Sequence, residues 1–382
     1  MKFFRPLLVG LLQGKRISGA QFSFKNLIFE LTRKNYKFRV VNLGNNKTDH
    51  RIGEFSWERS FEIIRAILKA WVYIPFSNPI YLTVGLSRLG FLRDLLILLP
   101  AFILQKKTII HVHSGGYGEF FKQQPLIMQK LIKFMISKVD IIIILSKLLK
   151  IQFDFLEKEL VCVPVHNMID PAISGRQPTV KQLIPNSSIQ LLYLSNMMVD
   201  KGYLELLEAC SILKKRGKVK FVCNFCGDFI QTTSDLDHHA SSSEILKNSF
   251  FSKIRDEELE DCVNYLGVVK GEAKLKLLDE SHLFILPTRY PWEGQPISIL
   301  EAMASGIPVI ATNYRSIPDQ VQDGVTGYLL SSPNPKKIAD LIEELSKNPD
   351  LYQEMSDNAI KKFWNEFSPE LRMQKMIQIL FG

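Results

Sequence analysis

Short runs that are apolar throughout and rich in β-branched residues recur along this chain, with longer amphipathic stretches between them. This alternation restricts the fold more than any other feature. The first half holds "RPLLVGLL", "KFRVVNLG", "NPIYLTVG", "KTIIHVHS" and "VDIIIILS". The second half holds "IQLLYLSN", "KFVCNFCGD", "VNYLGVV", "HLFILPT" and "PVIATN". A strand apolar on both faces must be covered on both faces, as happens in a parallel sheet whose crossovers are helices. Stretches such as "AQFSFKNLIFELTRKN" and "YLELLEACSILKKRG" read as those helices. The pattern stops at "DPAISGRQPTVKQLIPNSS", a Pro-, Ser- and Gly-rich stretch that reads as a linker, and then restarts. A chain of 382 residues is also too long for one ordinary core. The expected fold class is α/β, with two Rossmann-like doubly wound domains facing a central cleft. The expected bounds are 1–172 and 187–362, with a closing helix over 363–382.

The five cysteines are an odd number in a long chain, which points to a reducing compartment rather than a disulfide framework. Cys223 and Cys226 form a lone C-x-x-C, read as small apolar residues on a buried strand. The adjacent His238 and His239 sit in a polar loop and read as solvated. No apolar run reaches the roughly 18 residues a spanning helix needs. The start, "MKFFRPLLVGLLQG", reads as a first buried strand rather than a leader, and the expected location is the cytoplasm.

Net charge is +9, but residues 1–190 carry 27 Lys and Arg against 12 Asp and Glu, a net of +15, leaving −6 for the rest. A basic front half implies an anionic surface or substrate. Zinc fingers, aromatic RNA-binding signatures and glycine-arginine tracts are missing from the sequence, which argues against nucleic acid. An anionic membrane face is the better fit. In "FFKQQPLIMQKLIKFMISK" apolar residues recur at helical spacing with Lys130, Lys133 and Lys138 among them, so this helix reads as covering the front sheet and also touching lipid headgroups.

The stretch "RYPWEGQPISILEAMASGIPVIATN" carries the strongest chemical signal. Glu293 stands in a turn after the strand "HLFILPT", and Glu301 stands eight positions later inside an apolar run. Pro296 and Ser298 read as a helix start, "ISILEAMAS" as the helix, and Gly306 as its stop. Free N–H groups at such a start suit a phosphate. A carboxylate one turn in suits two neighbouring hydroxyls, as on a ribose. Burying Glu301 is costly without a partner, so it reads either as facing water or as holding a ligand.

This stretch resembles the E-x7-E signature of the retaining, GT-B-fold nucleotide-sugar glycosyltransferases of family 4, which takes the form "EG-x-P-x4-EAMA-x-G-x-PV". Here it stands as "EGQPISILEAMASGIPVI". The resemblance implies that Glu293, Gly294, Gln295, Pro296, Ile297, Ser298 and Glu301 grip a nucleotide sugar, and that the closing helix crosses back to the front domain. "LYLSNMMVDKGYLELLEA" is similar to the family's stretch in which a lysine, here Lys201, contacts the diphosphate. Lysine at a helix start opposes the helix dipole, which makes sense with an anion between them. Many members have Arg where this chain has Asn196. His113, after the strand "TIIHV", resembles the family's histidine beside the reacting carbon, whereas His111 within that strand reads as structural. Gly19, in "QGKRISGAQF", resembles part of the family's glycine-rich loop, although the usual double glycine is missing.

The resemblance implies a donor held by the back domain, UDP-sugar favoured, an acceptor on the front domain, and neither cofactor nor metal. It also implies transfer from the face the diphosphate leaves, with Glu293 and His113 orienting the sugar. The acceptor class implied is a glycan or lipid-linked oligosaccharide of a bacterial surface polysaccharide. The alternative is a non-catalytic partner subunit of the same fold, which would be expected to lose these residues. An epimerase of this fold does not suit the "EGQPISILEAMASG" context, and a nicotinamide-dependent dehydrogenase would need a G-x-G-x-x-G after a strand, which neither half shows.

Overall fold

A computed structural model describes residues 5–12, 19–44, 57–184, 187–230 and 243–382. Residues 13–18 of the glycine-containing loop, with His238 and His239, lie outside the described residues. The chain divides into two units, Met1–Met168 with Pro369–Gly382, and Ile169–Ser368.

The first unit is built on a six-stranded parallel sheet in the order β2-β1-β3-β4-β5-β6. Its strands are β1 (Arg5–Gly10), β2 (Arg39–Asn42), β3 (Ser77–Thr83), β4 (Thr108–Val112), β5 (Ile141–Ile144) and β6 (Cys162–Pro164). Its helices are α1 (Gly19–Arg33), α2 (Trp57–Tyr73), α3 (Arg88–Ile103), α4 (Tyr117–Lys122) and α5 (Leu126–Lys138). The chain steps one way from β1 to β2 and the other way thereafter. Right-handed crossovers therefore put α1 on one face and α2, α3 and α5 on the other. β6 is missed by the sequence pattern, because "CVP" is too short to show a period.

The second unit repeats the plan with the order β12-β11-β10-β7-β8-β9. Its helices are α6 (Pro171–Ser174), α7 (Tyr203–Arg216), α8 (Ser243–Asp256), α9 (Gly271–Glu280), α10 (Ile297–Ala304), α11 (Ile317–Gln320), α12 (Pro335–Lys347) and α13 (Pro349–Lys362). The strands are β7 (Ile189–Leu194), β8 (Phe221–Cys226), β9 (Val263–Gly267), β10 (Leu283–Leu286), β11 (Val309–Thr312) and β12 (Gly327–Leu330). Cys223 and Cys226 are buried free thiols on β8, and burial pushes the Cys226 thiol up to about 12. They are core residues, as expected.

Two boundaries differ from the sequence reading. The segment taken as a linker is packed on the second unit. Ile173 and Leu183 are buried, Lys181 N–H donates to Ser356 Oγ at 2.7 Å, and Lys181 Nζ donates to the Leu278 carbonyl at 2.9 Å. Its Pro, Ser and Gly content reflects irregular backbone, not freedom. At the far end, Phe363 and Phe367 sit in the core of the second unit, and the returning helix α14 begins only at Pro369 (Pro369–Phe381).

Helix α14 completes the first unit. Its Met373, Met376 and Leu380 pack with Phe24, Leu27 and Leu31 of α1 over Leu8, Tyr81, Ile109 and Ile143 of the strands. Arg372 on α14 is fully buried, donating to the His166 carbonyl at 2.9 Å and Ser23 Oγ at 2.8 Å. Burial draws its pKa down to about 10, which leaves it a cation at neutral pH. On β4, His111 Nδ1 meets the Tyr81 hydroxyl at 2.6 Å, and the His111 and His113 rings stack at 3.9 Å. Burial first, and the Arg372 charge second, lower His113 to about 3, while a hydrogen bond with Asn167 opposes them. Burial, His113 and Arg372 lower His111 as well.

A histidine neutral in the fold but titrating near 6.5 when unfolded binds fewer protons in the native state, so it destabilises the fold as pH falls below 6.5. Asp94, which burial raises to about 6, acts in the opposite direction below that value. The test is therefore a comparison of variants. His113→Asn should narrow the loss of melting temperature between pH 7 and pH 5 relative to the unsubstituted chain, as read by thermal denaturation.

Candidate functional site

In the second sheet the strand order reverses between β7 and β10, which pair in parallel through Leu191–Leu283 and Leu192–Phe284. Such a reversal is where doubly wound sheets hold ligands, beyond the carboxyl ends of the strands. Asn196 and Lys201 follow β7, and the 293–298 stretch follows β10, so the two motifs come together there.

After β7 the chain makes a short 3-10 turn, Val199–Lys201, and enters α7 through Gly202. Gly202 has a left-handed φ of +79°, and a Cβ there would lie 2.2 Å from the Pro287 carbonyl oxygen. Only glycine lets this turn approach the end of β10. Lys201 thus precedes α7, and its charge is already matched: Nζ donates to Glu293 Oε2 at 2.8 Å. The anion expected from helix-dipole reasoning is, in this structure, a carboxylate of the protein. Lys201 also lies 5.1 Å from the centre of the Tyr290 ring.

Glu293 is buried and takes a second hydrogen bond from Thr288 Oγ1 at 3.3 Å. The following residues are fixed by their backbone. Ser316 Oγ donates to the Gly294 carbonyl, and Gln320 Nε2 donates to the Pro296 carbonyl at 2.9 Å. Gly294, Gln295 and Pro296 are buried, whereas Ile297 and Ser298 are half-buried. Pro296 is the N-cap of α10 and no side chain caps that end, leaving the first amides of the helix without an intrahelical partner. The helix stops where expected, with Gly306 at φ +70°.

Glu301 is 5% exposed, so it does not face water, and its partner is one the sequence reading missed. Lys274 Nζ of α9 lies 2.8 Å from Glu301 Oε1 and 3.2 Å from Asp170 Oδ2, which precedes α6. Burial raises the Glu301 carboxyl, and Lys274 opposes that shift. Burial works against the Lys274 ammonium, but the two carboxylates outweigh it and raise its pKa. Glu293 and Glu301 occupy one loop and helix, yet each is held by a different lysine. Lys274 and Asp170 left no signal in the sequence, because isolated charges on an amphipathic helix and in a Pro-rich stretch read as solvated.

Of the remaining expected residues, Asn196 is exposed, with its carbonyl accepting from the Tyr193 hydroxyl at 3.1 Å. In the first unit, Gly19 is an exposed residue opening α1, and His113 follows β4 as a half-buried, neutral imidazole. Among the described residues, no three His, Cys, Asp or Glu side chains cluster in a way that could hold a metal ion.

The model of the glycosyl transferases group 1 family matches residues 177–362. The amylovoran biosynthesis glycosyltransferase AmsK of Erwinia amylovora is 27% identical over 197 residues, which is 50% of this chain and 44% of that protein. The chain thus spans less than half the length of that relative. Among solved structures, Anabaena Alr3699/HepE in complex with UDP superposes with a TM-score of 0.67 at 15% identity, covering 98% of this chain and 99% of that one. Sucrose-phosphate synthase from Thermosynechococcus elongatus reaches a TM-score of 0.72 at 15% identity, over 98% of both chains. At such identities the superpositions speak for the fold, which is the two-domain GT-B fold. The "EGQPISILEAMASG" motif, the strand order that places it and the family match agree: residues 177–362, within the second unit, match the glycosyl transferases group 1 family.

Proposed function

We propose that the protein is a retaining glycosyltransferase. It moves a sugar from a nucleotide donor, UDP-sugar favoured, to a glycan or lipid-linked oligosaccharide of a bacterial surface polysaccharide. The observation that carries this reading is the pairing of Lys201 with the buried Glu293 beside the uncapped start of α10, at the reversal of strand order. A diphosphate there meets a cation and oriented amides, the arrangement that stabilises a leaving group whose charge grows in the transition state. HepE, a fold neighbour, was solved with UDP and with UDP-glucose, which supports the choice of base. The name of AmsK supports the acceptor class.

In the proposed reaction the bond from the anomeric carbon to the β-phosphate oxygen breaks and the acceptor oxygen bonds to the same face of that carbon. The acceptor's proton passes to a phosphate oxygen of the departing nucleotide. The α10 amides, with Lys201 shared between Glu293 and the diphosphate, take up the diphosphate charge, so no metal is required. Glu293, held in place by Lys201, orients the sugar and faces the cationic character that develops on it. His113, neutral at working pH, offers one donor and one acceptor to a sugar hydroxyl. Glu301 receives the two ribose hydroxyls while Lys274 and Asp170 fix its carboxylate. Peripheral attachment at the cytoplasmic face of a membrane belongs to the same reading, because a lipid-linked acceptor resides there.

Glu293→Gln should lower kcat by more than it weakens UDP binding, whereas Glu301→Ala should chiefly raise the donor KM. The KM change should be roughly 10- to 100-fold, the equivalent of one or two charge-assisted hydrogen bonds. Steady-state kinetics in the presence of EDTA test both, and wild-type kinetics in both variants would remove this assignment. Melting temperature should rise with UDP whether or not EDTA is present. A folded sample that responds to no nucleotide would favour the non-catalytic partner.

Lys274→Met should cost about 3 kcal/mol of stability, since it leaves a buried carboxylate unpaired, and should raise the donor KM without altering kcat. Lys274→Arg should restore both properties. Thermal denaturation together with kinetics gives both readouts, and an unchanged KM in the Met variant would reduce Lys274 to a structural role.

A further inference from the structure

The half of the chain with the positive excess also keeps its large apolar side chains in water. Among the described residues, 18 of the 22 large hydrophobics that are exposed belong to the first unit. They concentrate on α2, α3 and α5, the helices that share one face of the first sheet. On α2 the outward residues are Phe61, Ile64, Leu68, Trp71 and Val72, three and four apart, and Phe61 is 69% exposed. The inward face of that helix carries Ala66, Ile67 and Ala70. Its bulkiest side chains thus point to water and its alanines to the core, the reverse of a helix that only covers a sheet.

The patch continues across its neighbours. The Trp71 indole N–H donates to the Leu96 carbonyl of α3 at 2.9 Å, and the Phe102 and Phe134 rings join α3 to α5 with centroids 6.3 Å apart. α5 adds Leu126 and Ile127, at 76% and 78% exposure. Single exposed leucines need no explanation, but a continuous apolar face does. Charge indicates what covers it. Arg65, Lys69, Lys130 and Lys133 are exposed among these residues. The only acid on α3 or α5, Asp94, is buried against Arg93. A second copy of the chain would set these cations against each other.

We propose that the α2–α3–α5 face seats the protein on an anionic lipid leaflet. The apolar side chains enter the boundary between headgroups and acyl chains, and the Lys and Arg side chains pair with lipid phosphates. This surface deepens the peripheral-attachment reading and rests on it, but it does not rest on the donor chemistry. Among the described residues no helix is long and apolar enough to cross a membrane, so contact through this face is interfacial.

Co-sedimentation of the full chain with phosphatidylcholine vesicles, with and without phosphatidylglycerol, tests the proposal. The expected result is binding to the anionic vesicles that weakens as salt rises. Arg65→Ala with Lys130→Ala should lower partition roughly 30-fold, at about 1 kcal/mol per basic residue. Phe61→Ser with Leu126→Ser should also lower it, with melting temperature and the UDP response unchanged, as suits exposed positions. No binding to anionic vesicles would overturn both the peripheral reading and this surface. Full-strength binding by both variants would keep the peripheral reading and overturn the surface. A dimer in light scattering that the Phe61→Ser, Leu126→Ser variant abolishes, without vesicle binding, would make the face a self-association surface and overturn the lipid assignment.

Discussion

Pairing of β7 with β10 is the constraint on which the rest of the second unit depends. The chain builds β7, β8 and β9 outward in one direction, then returns to lay β10 on the free edge of β7. That reversal brings Lys201 and Glu293, 92 residues apart in sequence, to 2.8 Å. Parallel strands all present their carboxyl ends to the same side, so the loops after β7 and β10 must emerge side by side. The close approach works because Gly202 carries no Cβ toward the Pro287 carbonyl. It holds because the Arg289 amide donates to the Asp200 carbonyl at 2.7 Å.

The charges in this protein are handled by pairing or by neutralisation, according to what each residue can do. Glu293 and Glu301 are both buried carboxylates, and each has a lysine at hydrogen-bonding distance. Leaving either unpaired would cost several kcal/mol. The lysines serve two needs at once: they make the carboxylates tolerable in the folded chain and hold their oxygens in one orientation. Lys274 ties the second carboxylate to Asp170, only two residues past the division between the units. In the first unit His111 and His113 take the other route and stay neutral, while Arg372 keeps its charge with hydroxyl and carbonyl oxygens as acceptors.

Much of this was legible in the sequence, for local reasons. Ten of the twelve strands stand out because each is predominantly apolar, as a two-sided parallel sheet demands. β6, only three residues long, and β12, which opens on Gly327, do not. The loop and helix of 293–304 are a single local unit, so proline, glycine and an apolar period suffice to locate Glu293 and Glu301. Their partners were not legible. Lys274 meets Glu301 from another helix, 27 residues away. Asp170 meets Lys274 from a segment whose composition imitates a free linker, and Glu293 takes the place of the anion expected near Lys201.

By itself, then, the sequence determined two doubly wound α/β units, the position of the E-x7-E motif after a buried strand, and the concentration of positive charge in the first half. These depend on periods and spacings within a few residues of one another. Only the tertiary structure decided which charges neutralise which, where each unit ends, and that the bulky face of α2 is turned away from the core. Those outcomes depend on contacts between segments distant in the chain, and hydrophobic period cannot tell a face that meets the sheet from one that meets something else.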